Sequence, residues 1–358
     1  MIVVHVIPDY KKGGAEALVQ ELKNRKSKIE KRAIYFTATD HKPNCECKEI
    51  FLNVNPRNIF AIFKIRQEIK KILYETNDLI IHAHLTWPLF FVAIATVRLK
   101  VKLIYTEHST FNKRRNLPLL KFLDLIAYSR YSSIVCISRA CNDSLLKWLG
   151  SAYQKKIKTI DNGAKLKKFV IRQNIPKSKK LNLVSVGALK GLKGFETTIK
   201  SIQKIRNLID SYTIVGEGLD LAKLQKLVHS LGLDDIVLFT GWSDFPEKYF
   251  YSSDIILVPS HWEGFGLVAV EGMSSGMPII ASNVPGLDYV AGKSHMSSIL
   301  IDNFLDPDNW SSAIMLMHER LQTASSEMSI ESRKHSEKFN IDKMINAYES
   351  LYLDLIKK

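Results

Sequence analysis

At 358 residues, with 46% apolar and 24% charged content, the chain is long enough for two domains that each bury a core, and its balance is that of a soluble globular protein. Four cysteines are too few and too irregular for a secreted disulfide framework, and Cys45-Glu46-Cys47 lacks the second pair of a zinc site, so reduced thiols in a cytoplasm are expected. The net charge of +15 is unevenly spread: residues 1–172 hold 32 Lys and Arg against 14 Asp and Glu, the remainder 19 against 22.

In chain order, the opening MIVVHVIPDY lacks a basic leader and breaks at Pro8 and Asp9, so it reads as a strand and not as a signal peptide. Strand-like runs alternate with helical spacing from there: IVVHVIP (2–8), RAIYFT (32–37), LIIHAHL (79–85), KLIYTEH (102–108), SIVCIS (133–138) and IKTIDNG (157–163). LTWPLFFVAIATVRL (85–99) is the longest apolar stretch, but Thr86, Thr96 and Arg98 leave it short of a bilayer span, so a buried or interfacial helix is expected. The lysine-rich KLKKFVIRQNIPKSKK (165–180) interrupts the alternation and marks a domain boundary. The pattern restarts with LNLVSVG (181–187), YTIVGEG (212–218), IVLFTGW (236–242), DIILVPS (254–260), PIIAS (278–282) and SILI (298–301), and helical patterns run from 307 onward. Such alternation predicts two α/β domains with parallel sheets.

Open parallel sheets bind ligands at the carboxyl ends of their strands, and two such sheets facing each other would form a cleft. Several motifs follow strands: GGAE (13–16), His108, LKGLKG (189–194), GEG (216–218) and Glu263. Glu263 and Glu271 stand eight residues apart around Gly264-Phe265-Gly266, with Glu263 expected in a strand-to-helix turn and Glu271 inside the helix. Glycines there allow close backbone approach, and a helix N-terminus offers unpaired N–H groups to an anion. The pair suits the two ends of one bound molecule better than a shared proton or a metal. His82 and His84 share one face of their strand. No third ligand is evident, so they are expected to be packed or to line a site.

These motifs resemble the retaining glycosyltransferases of family 4, in the GT-B superfamily, over nearly the whole chain. EGFGLVAVE (263–271) is similar to the family's E-x7-E signature, GALKGLKG (187–194) to its glycine-arginine-leucine…lysine-glycine segment, VGEG (215–218) to its glycine-acid-glycine turn, and DNGAKLKKF (161–169) to its interdomain turn. GGAE matches the glycine-rich loop of the N-terminal domain. The resemblance implies two Rossmann-like domains with sheets facing a central cleft: an acceptor-binding domain over 1–168, a nucleotide-sugar domain over 169–340, and a helix over 341–358 returning to the first. It implies donor contacts at Gly13, Gly14, Gly216, Gly264, Phe265, Gly266 and Leu267, with Glu271 on the ribose hydroxyls. Glu263 and His108 would lie near the transferred sugar, and Lys193 would hold the diphosphate as charge builds on the leaving group. Two positions depart from the pattern. Ala188 replaces the usual arginine of the diphosphate clamp, with Lys190 the nearest substitute, and Asp288 replaces a glutamate.

The implied function is metal-independent transfer of a hexose or N-acetylhexosamine, with UDP the expected nucleotide, to a hydroxyl of a lipid-linked or surface glycan such as a lipopolysaccharide or capsule. No cofactor is expected beyond the sugar nucleotide. A metal-dependent transferase would carry Asp-x-Asp after a strand, whereas Asp306-Pro307-Asp308 reads as a helix start with Asp308 as cap. A basic nucleic-acid-binding protein is the competing class, but the basic half shows no nucleic-acid motif, so nucleic acid is not an expected partner. A sugar-nucleotide epimerase of the same superfold is disfavoured by the E-x7-E pair. FNKRRNLPLLKF (111–122) interleaves Lys113, Arg114, Arg115 and Lys121 with Leu117, Leu119, Leu120 and Phe122. That composition predicts peripheral attachment to the anionic inner face of the cytoplasmic membrane.

Overall fold

The computed structural model describes residues 1–10, 13–37, 48–293 and 295–357; Cys45-Glu46-Cys47 lies outside them. Two compact units result: Met1–Asn162 with Asp342–Lys358, and Gly163–Ile341.

The first unit holds seven strands, β1 (Ile2–Asp9), β2 (Glu30–Thr37), β3 (Glu49–Phe51), β4 (Leu79–His84), β5 (Lys102–Glu107), β6 (Ser133–Cys136) and β7 (Ile157–Thr159). They form one parallel sheet in the order β3-β2-β1-β4-β5-β6-β7. Helices cover the sheet, which is why β1 and β4 read as nearly unbroken apolar runs and not as alternations. Ile34, Ile81, Tyr105 and Ile134 meet Ile65 and Ile69 of the helix Phe60–Leu73 and Leu145 of the helix Arg139–Leu149 in one core. The apolar stretch after β4 becomes the ten-residue helix Thr86–Ala95, which buries Leu89, Phe91 and Val92. Among the described residues no helix is long and apolar enough to cross a membrane.

The helix Ile341–Lys357 is amphipathic and, from Asp342 onward, belongs to this first unit. It buries Met344, Ile345, Tyr348, Leu351 and Tyr352, a helical stripe, and Lys31 of β2 pairs with its Glu349. The hydroxyls of Tyr348 and Tyr352 reach Thr106 and His82 on the sheet at 3.2 and 2.8 Å.

The second unit holds β8 (Leu181–Val186), β9 (Ile209–Val215), β10 (Val237–Phe239), β11 (Ile255–Val258), β12 (Ile279–Ser282) and β13 (Ser298–Ile301). The parallel order is β10-β9-β8-β11-β12-β13. Leu183, Ile214, Leu257 and Ile280 pack with Ile199, Ile202, Trp310 and Met317 from flanking helices. The polar segment 165–180 is not a free linker. Lys167 N–H donates to Ser274 Oγ at 2.8 Å, Arg172 Nη2 to the Phe250 carbonyl at 2.8 Å, and Ile175 N–H to the Leu321 carbonyl at 3.1 Å, which fixes it to this unit. The helix Pro307–Thr323 begins as its sequence suggests, but the cap is Asp306, whose carboxylate accepts from Asp308 N–H at 2.9 Å. Asp308 instead pairs with Lys204.

Strand order reverses direction between β1 and β4 in the first unit and between β8 and β11 in the second, the positions where such sheets open a crevice at their carboxyl ends.

Candidate active site

The loops after β8 and β11 flank the reversal point of the second unit, and backbone contact locks them together. Gly194 has φ +69°, and a Cβ there would fall 1.9 Å from the Pro259 carbonyl oxygen. His261 N–H donates to the Leu192 carbonyl at 2.8 Å. Gly216, at φ +147°, passes so close to Gly187 that a Cβ would lie 2.0 Å from its carbonyl oxygen. Both glycines are required by sterics as well as by φ. The outcome is that Lys193, ending the short 3-10 turn Gly191–Lys193, forms an ion pair with Glu263. Ser260 Oγ donates to the same Glu263 oxygen at 3.0 Å. Both members of the pair are partly exposed, so solvent and a ligand can compete for the ammonium.

The helix after this loop is Leu267–Ser274, capped by Gly266 at φ +97°. Glu271 is the fifth residue of this helix and residues 263–266 lie outside it, so the eight-residue spacing is not a single run of helix. Burial pushes the Glu271 carboxyl above its ordinary value, Lys167 pulls it partly back and Glu247 adds to the rise. Lys167 spends much of its charge on Glu247, at 3.3 Å. Among the described residues no hydrogen bond to the Glu271 carboxylate is formed, while its backbone carbonyl accepts from Ser274 Oγ at 2.8 Å. A half-buried carboxylate with acceptor capacity to spare is suited to paired hydroxyls.

Other expected donor residues fall differently. Phe265 is buried with its ring edge-on to Phe339 at 5.4 Å, so its side chain packs and only its backbone can serve a ligand. Leu267 opens the helix and Gly216 the turn after β9. Asp288 accepts from its own turn, from Gly286 N–H at 3.0 Å and Tyr289 N–H at 2.8 Å. Lys190, the nearest substitute for the arginine missing at Ala188, lines a cavity of about 310 Å³ with Glu196, Lys200, Asp220, Lys223 and His261, whereas Lys193 turns to Glu263. Gly13 and Gly14 belong to the first unit, at the N-terminus of the helix Gly14–Asn24.

His108 follows β5 in the first unit and is joined to a cluster whose extent the sequence hid. His84 Nδ1 meets His108 Nε2 at 3.1 Å, and His84 Nε2 meets His5 Nδ1 at 3.0 Å. His82 bonds Thr106 Oγ1 at 2.7 Å and Tyr352. His5 was invisible as a member because it lies on another strand; the in-register pairing of β1 with β4 places it opposite His82. Burial pulls His5 and His108 down to about 3, and His82 and His84 well below 6.5.

The expected membrane contacts at Arg114 and Arg115 are corrected by their burial. Arg114 binds Asp124 at 2.9 Å, Thr86 Oγ1 at 3.0 Å and the Tyr128 hydroxyl at 3.0 Å; Arg115 binds Glu107 at 2.6 Å. Tyr128 also donates to Glu107, at 2.9 Å. Internal carboxylates recruit both guanidinium groups, leaving Lys113 and Lys121 exposed beside Leu117, Leu119, Phe122, Leu123 and Ile126 of the turn and the helix Leu120–Ser129.

Comparison with known proteins fits this arrangement. Residues 13–168 match the family described as Glycosyltransferase Family 4, and residues 167–334 match Glycosyl transferases group 1. A Klebsiella pneumoniae protein described as a 41.2 kDa protein in the cps region is 26% identical over 98% of this chain and 99% of its own. An Escherichia coli UDP-Gal:alpha-D-GlcNAc-diphosphoundecaprenol alpha-1,3-galactosyltransferase is 26% identical over 87% of this chain and 82% of its own. The Anabaena HepE structure in complex with UDP superposes with a TM-score of 0.81 at 16% identity, covering 99% of this chain and 100% of that one. Two family matches that together run from residue 13 to 334, on two parallel-sheet Rossmann-like units, establish that the chain belongs to the family 4 glycosyltransferases of the GT-B superfamily and is a hexosyltransferase.

Proposed function

We propose that the protein transfers a hexose or N-acetylhexosamine, with retention and without a metal, from a UDP-sugar to a hydroxyl of a lipid-linked or surface glycan. The observation that carries this reading is the Lys193–Glu263 pair at the reversal point of the second sheet, with the half-buried Glu271 on the helix that follows. UDP is favoured by the names of two similar proteins, one solved with UDP and one a UDP-Gal transferase. The latter's diphosphoundecaprenol acceptor and the cps region of the Klebsiella relative favour a cell-surface glycan.

In this mechanism Glu271 accepts hydrogen bonds from the ribose hydroxyls. The donor diphosphate draws Lys193 from Glu263, and the ammonium offsets the charge that grows as the bond from sugar C1 to phosphate oxygen breaks. The acceptor oxygen bonds to C1 on the same face, and its proton passes to the departing phosphate. Glu263, released from the pair, holds sugar hydroxyls, and His108 supplies a further hydrogen bond to the sugar. The enzyme rests peripherally on an anionic leaflet through Leu117, Leu119, Phe122 and Ile126, with Lys113 and Lys121 at the headgroups.

The test is a panel of nucleoside diphosphate sugars scored by thermal stabilisation, since a ligand at 100 times its Kd adds about 2.7 kcal/mol. UDP-sugars are expected to stabilise, followed by transfer to a diphosphoundecaprenol-linked sugar in EDTA. Stabilisation by another nucleotide, or activity abolished by EDTA and restored by Mn²⁺, would overturn the corresponding part.

A further inference from the structure

The histidine cluster has a directionality that goes beyond a contact by His108. His5, His82 and His84 are wholly buried, and one ring nitrogen from each lies within 4.8 Å of the others, the grouping of a metal site. Two features argue against a cation there. His82 already uses both nitrogens on Tyr352 and Thr106, and the charges acting on His5 are those of Lys31 and Lys23, which oppose further positive charge in a dry interior.

The remaining rings form a chain, His5 Nδ1 to His84 Nε2 and His84 Nδ1 to His108 Nε2. Burial keeps all of them neutral near pH 7. A neutral imidazole has one N–H, and each nitrogen-to-nitrogen hydrogen bond uses one, so only two proton arrangements satisfy both bonds. If the protons point toward His5, that ring carries its proton on Nε2 and His108 presents a bare Nδ1. If they point toward His108, His5 Nε2 is bare and His108 carries its proton on Nδ1. His5 Nε2 is buried without a partner. An orphaned buried N–H is less tolerated than an orphaned acceptor, and nearby lysine charge favours a lone pair at that atom.

We propose that His84, backed by His5, is a positioning residue that fixes His108 as its Nδ1–H tautomer, so that His108 meets the sugar as a hydrogen-bond donor. His108 Nδ1 has no partner among the described residues and is available for that bond. The proposal rests on the reading of His108 as a sugar contact, and its test separates the two. Nitrogen-15 NMR of the full chain in EDTA, with the His108 signals identified by their loss in His108→Gln, is expected to show a protonated Nδ1 and a bare Nε2. His84→Leu is expected to move His108 toward the Nε2–H form that a free neutral imidazole prefers. His84→Asn, whose amide can donate at the same place, is expected to keep the wild-type pattern. A protonated His108 Nε2 in the wild-type protein overturns the proposal, as do a pattern indifferent to His84→Leu and stoichiometric Zn²⁺ binding abolished by His82→Ala. In the transfer assay His84→Leu is expected to lower kcat about tenfold at little changed KM, the loss of about one hydrogen bond, with recovery in His84→Asn. Full activity of His108→Gln would remove the sugar contact while leaving the tautomer result standing.

Discussion

In the proposed mechanism, fold and ligand make opposite demands on Glu271. Its carboxyl is raised by burial, so the ionised form is less stable folded than unfolded. The sign is that of a raised acid: its contribution to stability is present below the unfolded pKa and is lost as pH rises through the higher folded pKa. Glu271→Gln is therefore expected to raise the melting temperature of the ligand-free protein at pH 7 while weakening UDP binding about tenfold or more, measured by scanning fluorimetry and calorimetry. UDP affinity in the parent should fall on acidification from a pH above the ordinary carboxyl range. Unchanged affinity in the variant would remove the ribose assignment. In the proposed mechanism Glu263 works differently, because its partner Lys193 is the cation assigned to the diphosphate. Glu263→Ala is expected to lower kcat with little change in donor Kd, whereas Lys193→Ala is expected to lower kcat and weaken donor binding as well. Their double variant should lose less than the product of the two, since the residues touch. Strict additivity in kinetics would show that they act apart.

At the scale of elements, the turn Lys113–Asn116 and the helix Leu120–Ser129 turn one group of side chains inward and another out. Arg114→Glu would set a carboxylate against the buried Asp124 and is expected to cost about 3–5 kcal/mol in a denaturant titration, as breaking a buried pair does. Leu119→Ser with Phe122→Ser changes only exposed apolar surface and should shift stability by about 0.5 kcal/mol or less per site. That double variant is expected to lose flotation with anionic liposomes, and undiminished flotation would move the membrane contact elsewhere. The same element shows what a sequence conceals. FNKRRNLPLLKF has the composition of an interfacial anchor, but composition has no direction, and the carboxylates that claim Arg114 and Arg115 are eight to ten residues away or on another element. Strands were legible because a parallel sheet covered on both faces needs continuous apolar runs. The edge strand β3 was not, since Glu49-Ile50-Phe51 is three residues long and only part-buried. The loops at Gly194 and Gly216 were legible because close backbone approach leaves glycine little alternative.

For the whole molecule, residues from both ends of the chain complete the first unit, and a continuous middle segment forms the second. Hydrogen exchange with UDP present is expected to slow chiefly in Gly163–Ile341, around 187–194 and 259–274. Protection confined to the other unit would contradict the placement of the nucleotide. The lysine-rich 165–180 could be read as a boundary because it interrupts the alternation, but its attachment to the second unit was hidden, since its partners Ser274, Phe250 and Leu321 lie 70 to 150 residues away. The cover that Tyr348 and Tyr352 place over His82 and Thr106 has a consequence for synthesis. The ribosome finishes the 163–341 unit before it delivers the helix that closes the first sheet. At roughly 5–20 residues per second, that sheet waits about ten to thirty-five seconds with its histidines and apolar neighbours uncovered. A nascent chain interrupted before residue 342 holds a complete second unit and an open first sheet. Such a product would be an expected client for chaperones and proteases.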